Sequence, residues 1–99
     1  GSYSGLFATV GGSMSMNAIS HGVGSAADAA IAFDIITGTG EMLRTGSALS
    51  GPAGPFFRHY GPDLTGLFTG DCGALGVKAR ITLALERARP AFATASFSF

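Results

Sequence analysis

Apolar and polar positions alternate along two stretches of the chain. In the first, Ile31, Phe33 and Ile35 alternate with Ala32, Asp34 and Ile36, the period of two that sends a strand's side chains to opposite faces. Gly38-Thr39-Gly40-Glu41 reads as a turn and Met42-Leu43-Arg44-Thr45 as the returning strand, which predicts a β-hairpin. In the second stretch Val77, Ala79, Ile81, Leu83 and Leu85 share one face, with Lys78, Arg80 and Thr82 opposite. That is a strand with one solvated side. Arg87 to Pro90 breaks it, and Phe92 to Phe99 (F-A-T-A-S-F-S-F) has strand composition again.

Between the strands the punctuation is glycine. The apolar run Tyr3 to Val10 stops at Gly11-Gly12, a pair that marks a turn or a close backbone approach. Ser13 is placed to cap a short helix through Met14, Met16, Asn17 and Ala18 that Gly22 would end. Gly46 to Pro55 is a loop, and Phe56 to Tyr60 reads as strand or loop. Gly61-Pro62-Asp63 opens a brief helix, Leu64 to Phe68, with the Asp63 carboxylate at its positive end. Gly70-Asp71-Cys72-Gly73-Ala74-Leu75-Gly76 is a second glycine-rich turn, in which Cys72 reads as a small buried residue. The predicted class is α+β, an antiparallel sheet with flanking short helices.

Composition narrows the function classes. Only 12% of the residues are charged and six basic side chains balance six acidic ones, so no basic face is available for a nucleic acid. No apolar run approaches the ~18 residues that span a bilayer. The charges are also unevenly placed. None precedes Asp28 and none follows Arg89, whereas the ends of a small domain normally lie in solvent. Both ends therefore read as interior chain, and the sequence as a piece of something larger.

Candidate chemistry is thin if residues are taken singly. Cys72 is the only cysteine, and His21 and His59 stand far apart without metal-ligand spacing. The glycine turns are better candidates. Thr9-Val10-Gly11-Gly12-Ser13 and Cys72-Gly73-Ala74-Leu75-Gly76-Val77 both leave backbone N–H groups open to an anion or a flat ligand.

Taken in order, the motifs are specific. T-V-G-G-S-M-S-M-N-A-I-S-H-G-V-G (Thr9 to Gly24), a hairpin ending E-M-L-R-T-G (Glu41 to Gly46), and Y-G-P-D-L-T-G-L-F-T-G-D-C-G-A-L-G-V (Tyr60 to Val77) follow one another. From about Phe7 to Leu85 the chain resembles the second half of the FAD-binding domain of the vanillyl-alcohol oxidase and p-cresol methylhydroxylase type. The resemblance implies FAD as cofactor, with residues 1–90 the second flavin subdomain and 91–99 the start of a substrate or cap domain. It implies that Thr9, Gly11, Gly12 and Ser13 line the flavin and that Met16, Asn17 and Ala18 lie near the dinucleotide. It further implies that the backbone of Cys72, Gly73, Leu75, Gly76 and Val77 touches the cofactor. The parent would oxidise a small organic substrate, a 2-hydroxy acid or an alcohol, by hydride transfer to flavin. Its partners would be that substrate, the first half of the flavin domain and the cap domain.

The chain departs from the family where Cys72 replaces Glu or Asn and Lys78 replaces Ile or Val. Ala8 and Ser25 stand where phenol-oxidising members carry an acid and a Tyr, so phenol oxidation is not expected. No catalytic residue is assigned; His59, Tyr60 and Asp63 are near the third motif in sequence only. Two other readings stay open. One is a flavoprotein resembling UDP-N-acetylenolpyruvoylglucosamine reductase, which shares the G-G…N-A segment. The other is a small non-enzymatic module that binds a partner through its apolar ends.

Overall fold

The computed structural model describes residues 5–18, 25–50 and 54–98. Among the described residues three strands form one antiparallel sheet: β1 (Ala30–Ile36), β2 (Met42–Arg44) and β3 (Val77–Leu83), in the order β2-β1-β3. The described residues also form two short helices, α1 (Val10–Ser15) and α2 (Leu64–Leu67), and three 3-10 turns around it. The class is α+β.

The hairpin forms where the alternation predicts it. Asp34, Ile35 and Ile36 pair with Arg44, Leu43 and Met42. The turn is closed by Thr37 N–H donating to Glu41 C=O and Gly40 N–H to Thr37 C=O, both at 2.9 Å. One sheet face makes the core. Phe33 and Ile35 cluster there with Ala30, Met14 and Phe68, and Leu43, Ile81 and Leu83 pack against them.

β3 does not keep the phase its sequence implies. Asp34 pairs with Arg80 but Ile35 with Lys78, so Ala79 is an extra residue, a β-bulge. The bulge turns Lys78 inward with Ile81 and Leu83 and leaves Val77 and Ala79 exposed. The expected single face from Val77 to Leu85 is therefore split. A second irregularity inserts Ile31 between the pairs Ala30–Leu83 and Ala32–Thr82.

That second bulge diverts the Ile31 carbonyl from the ladder, and a hydroxyl relay satisfies it. Phe33 N–H donates to Thr45 Oγ1 (2.8 Å), Thr45 Oγ1 meets Thr65 Oγ1 (2.7 Å), and Thr65 Oγ1 donates to Ile31 C=O (2.9 Å). Both threonines are fully buried. With one proton per hydroxyl, the relay runs one way, from Phe33 to Ile31. Thr65→Val keeps the shape and strands the carbonyl and the Thr45 hydroxyl. It is expected to cost about 1–3 kcal/mol, read as a lowered midpoint in urea unfolding.

The helices differ from expectation at their ends. Thr9, not Ser13, caps α1: its backbone is extended and its Oγ1 accepts the Gly12 N–H at 3.0 Å. The helix therefore starts at Val10 and takes in Gly11-Gly12, which the sequence reads as a turn. The predicted stop at Gly22 lies outside the described residues, as does His21. Asp63 stands at the start of α2 as expected and also caps it, accepting from Gly66 N–H at 3.0 Å. Its carboxylate also takes Arg58 Nε and Nη2 at 3.1 and 3.0 Å. The Arg58 hydrogen bonds hold its pKa below the ordinary 3.8 despite some burial, with help from Gly66 N–H.

Residues 84–98 form no strand, contrary to the composition of Phe92 to Phe99, of which Phe99 itself is outside the described residues. Strand propensity is fulfilled only against a partner strand or a packed surface. Here Phe92 and Phe97 are 89% and 80% exposed.

Candidate functional site

The two glycine-rich segments are more than 50 residues apart in sequence and meet in the fold. The last turn of α1 leaves carbonyl groups without helical partners. The second segment supplies the donors: Gly70 N–H bonds Met14 C=O at 2.9 Å and Cys72 N–H bonds Ser15 C=O at 2.8 Å. Asn17 and Cys72 both take left-handed backbone (φ 48° and 55°) at this junction, where neither residue is a glycine.

Beneath the junction lies an ion pair that the sequence does not reveal. Lys78 Nζ sits 2.8 Å from Asp71 Oδ1 and 2.9 Å from Ser15 Oγ, and 5.8 Å from the centre of the Phe33 ring. Both charged side chains are only 2% exposed. Burial pushes the Asp71 carboxyl up. Lys78 and the N–H groups of Gly73 and Leu75 outweigh it and hold the pKa below 3.8. Lys78 thus ties β3, the 70–76 turn and α1 into one unit. The strict alternation of β3 gave no sign of this, because only the bulge at Ala79 brings the lysine inside.

Two adjoining clefts flank α1. One, about 250 Å³, is lined by Ala8, Thr9, Gly12, Ser13, Met16 and Ala18. The other, about 300 Å³, shares Ala8, Thr9 and Ser13 and adds Val10, Met14, Ala26, Ala29 and Leu83. Five of the predicted cofactor residues, Thr9, Gly12, Ser13, Met16 and Ala18, thus share one cleft. Among the described residues neither cleft is lined by a charged side chain. At the small end of the ligand-pocket range, each has room for a flat neutral ring system, not for a whole dinucleotide. A diphosphate would need donors from elsewhere.

No family model, curated protein or solved structure matches the chain. Geometry alone therefore ranks the remaining candidates. Gly11 faces open space, with nothing within 4 Å of where a Cβ would stand. A glycine inside a helix costs roughly 0.5–1 kcal/mol relative to alanine, and nothing in the fold requires it. Gly76 is the opposite case. A Cβ there would meet the Ile35 side chain and lie 2.9 Å from Ile36 C=O, so this glycine serves strand packing.

Gly73 stands in open space at φ 77°, and Leu75 and Val77 are exposed. Cys72 is exposed rather than buried, because its left-handed backbone turns the side chain off the core. His59 and Tyr60 are exposed too; His59 lies near enough to Asp63 to add a little to the lowering of its pKa, but Asp63 is committed to its cap and Arg58. Among the described residues no three His, Cys, Asp or Glu side chains cluster as metal ligands, and no helix is long and apolar enough to cross a membrane.

Proposed function

We propose that this chain is the second half of an FAD-binding domain in an oxidoreductase acting on a small hydroxy acid or alcohol. The observation that carries the proposal is the bonded junction of the two glycine-rich segments, Gly70 to Met14 and Cys72 to Ser15. A cofactor can be lined by both segments only if the fold brings them together. Thr9, Gly12, Ser13, Met16 and Ala18 offer a neutral cleft of ring size. Gly11, Asn17 and the residues Cys72 to Val77 line neither cleft, and their part in the proposal rests on the resemblance and on the junction.

The fit is to one part of the cofactor. The cleft suits a flat ring and lacks the cations a diphosphate calls for, which agrees with a division of labour in which another segment binds the pyrophosphate. When bound, the flavin accepts the hydride and carries the redox chemistry. This chain's residues orient the ring and exclude water from one side of it. A role in phenol oxidation is not part of the proposal, since Ala8 and Ser25 carry no acid or phenol for it.

The protein, purified without added cofactor at the full length the cell makes, is expected to show flavin absorption in the visible. Acid precipitation then tells whether the flavin is covalent. A colourless protein that also fails to take up added FAD would overturn the proposal.

A further inference from the structure

The 70–76 turn, whose sequence offers open N–H groups to an anion, has those of Gly70 and of Cys72 to Leu75 filled from within. Gly70 and Cys72 donate to α1, and Ala74 N–H to Asp71 C=O at 3.0 Å. Those of Gly73 and Leu75 converge on the Asp71 carboxylate, the first on Oδ1 at 2.9 Å and the second on Oδ2 at 3.3 Å. Lys78 Nζ reaches Oδ1 at 2.8 Å. Two backbone donors and a buried ammonium around one carboxylate are the parts of an anion receptor.

That receptor is held by bonds that do not pass through the carboxylate. The Gly70 and Cys72 N–H groups fix the turn to α1 at 2.9 and 2.8 Å. Lys78 is fixed by its place in β3, by Ser15 Oγ at 2.9 Å and by the face of the Phe33 ring. The Lys78 and Asp71 side chains are both 2% exposed, so water competes little for the donors. Residues 72–75 are themselves exposed, which leaves the receptor close beneath the surface.

We propose that Asp71 is the tethered occupant of a binding site for a small monocarboxylate, made by Gly73 N–H, Leu75 N–H and Lys78 Nζ. In the wild type the tether holds Asp71 in the site against free carboxylates. When the side chain is cut back to alanine the Cβ stays, and the space vacated is that of one carbon and two oxygens, which is formate. Cut back to glycine, it holds one carbon more and takes acetate. None of this depends on flavin, since the site lies in neither cleft beside α1.

The test is urea unfolding of Asp71→Ala in sodium formate and in sodium chloride at equal ionic strength. In chloride the variant leaves Lys78 buried without a counter-charge and is expected to show a much lowered midpoint. A ligand that binds only the folded state raises the midpoint. Formate is therefore expected to shift Asp71→Ala to higher urea, and acetate much less. Asp71→Gly is expected to respond to acetate as well as to formate. Wild type, whose site is full, and Asp71→Ala/Lys78→Met, whose site lacks the ammonium, are expected to respond to neither. If Asp71→Ala is unfolded in chloride, recovery of its circular dichroism spectrum in formate is the same result. A response no larger than that of wild type overturns the proposal, as does one that survives the loss of Lys78. Variants that stay unfolded in formate and acetate overturn it too.

Discussion

Replacing Lys78 by methionine is expected to destabilise the fold by about 3–5 kcal/mol, because it leaves the Asp71 carboxylate buried without its counter-charge. For a chain of this size that is a large part of a total stability of roughly 5–15 kcal/mol. The pair itself is not the source of that energy. Desolvating both ions offsets most of their attraction, so Lys78→Met/Asp71→Asn is expected to recover most of the loss. The Asn oxygen, in the place of Oδ1, still accepts Gly73 N–H at 2.9 Å, and only the longer bond from Leu75 N–H, to Oδ2 at 3.3 Å, is lost.

The pH dependence has a definite sign. Asp71 has a folded pKa below 3.8, so its contribution is complete above the unfolded value and is lost as the pH falls through the folded one. In Lys78→Met the lysine no longer holds the pKa down, while burial still pushes it up. The carboxyl then protonates at higher pH and the charge is removed. The stability gap between wild type and Lys78→Met is therefore largest near neutrality and narrows toward pH 3–4. Urea unfolding at a series of pH values measures this. A gap independent of pH would show that the loss comes from packing rather than from the stranded carboxylate.

How much of this was legible in the sequence depends on which interactions are local. The hairpin was legible because its alternation and its Gly-Thr-Gly turn lie within 15 residues and agree. The place of Asp63 at the start of α2 was legible because the signals that open a helix are local. The faces of β3 were not, since a bulge arises from register with a partner strand, and Lys78 looks like any solvated lysine until Ala79 is skipped. The start of α1 was misplaced for a related reason. Gly11-Gly12 reads as a turn and so puts the helix start after it, whereas the low helix propensity of the pair is overridden by docking Met14 into the core. The candidate site divides in the same way. The residues of the smaller cleft all lie on the one continuous run that holds the first motif. Of the walls of the larger one, Ala26, Ala29 and Leu83 come from two other elements, the 3-10 turn Ala26–Ala29 and β3, and carry no motif. Phe92 to Phe99 shows the limit of propensity, since its pattern names a strand but cannot name a partner.

Gly46→Ala is expected to cost about 2–5 kcal/mol, the other large effect. Gly46 has φ 67°, and a Cβ there would stand 2.7 Å from Phe57 C=O and 3.0 Å from Ile31 C=O. The left-handed backbone costs an L-residue about 1–2 kcal/mol, and forcing a methyl between two carbonyl groups adds about 1–3 kcal/mol. Neither carbonyl is free to retreat. Ile31 C=O accepts the Thr65 hydroxyl. Phe57 C=O accepts Ser47 N–H at 2.7 Å, and Ser47 Oγ in turn binds Phe56 and Phe57 N–H at 2.9 and 3.1 Å. The point of contact is therefore where the 54–57 segment is pinned onto the sheet beside the Ile31 bulge. Gly40→Ala supplies the comparison, since Gly40 has φ 85° but nothing within 4 Å of the added atom. It is expected to show the conformational cost alone, about 1–2 kcal/mol, in the same urea titration. If the two substitutions cost the same, the crowding at Gly46 is relieved by movement of the 54–57 segment, and the pinning by Ser47 is weaker than its hydrogen bonds imply.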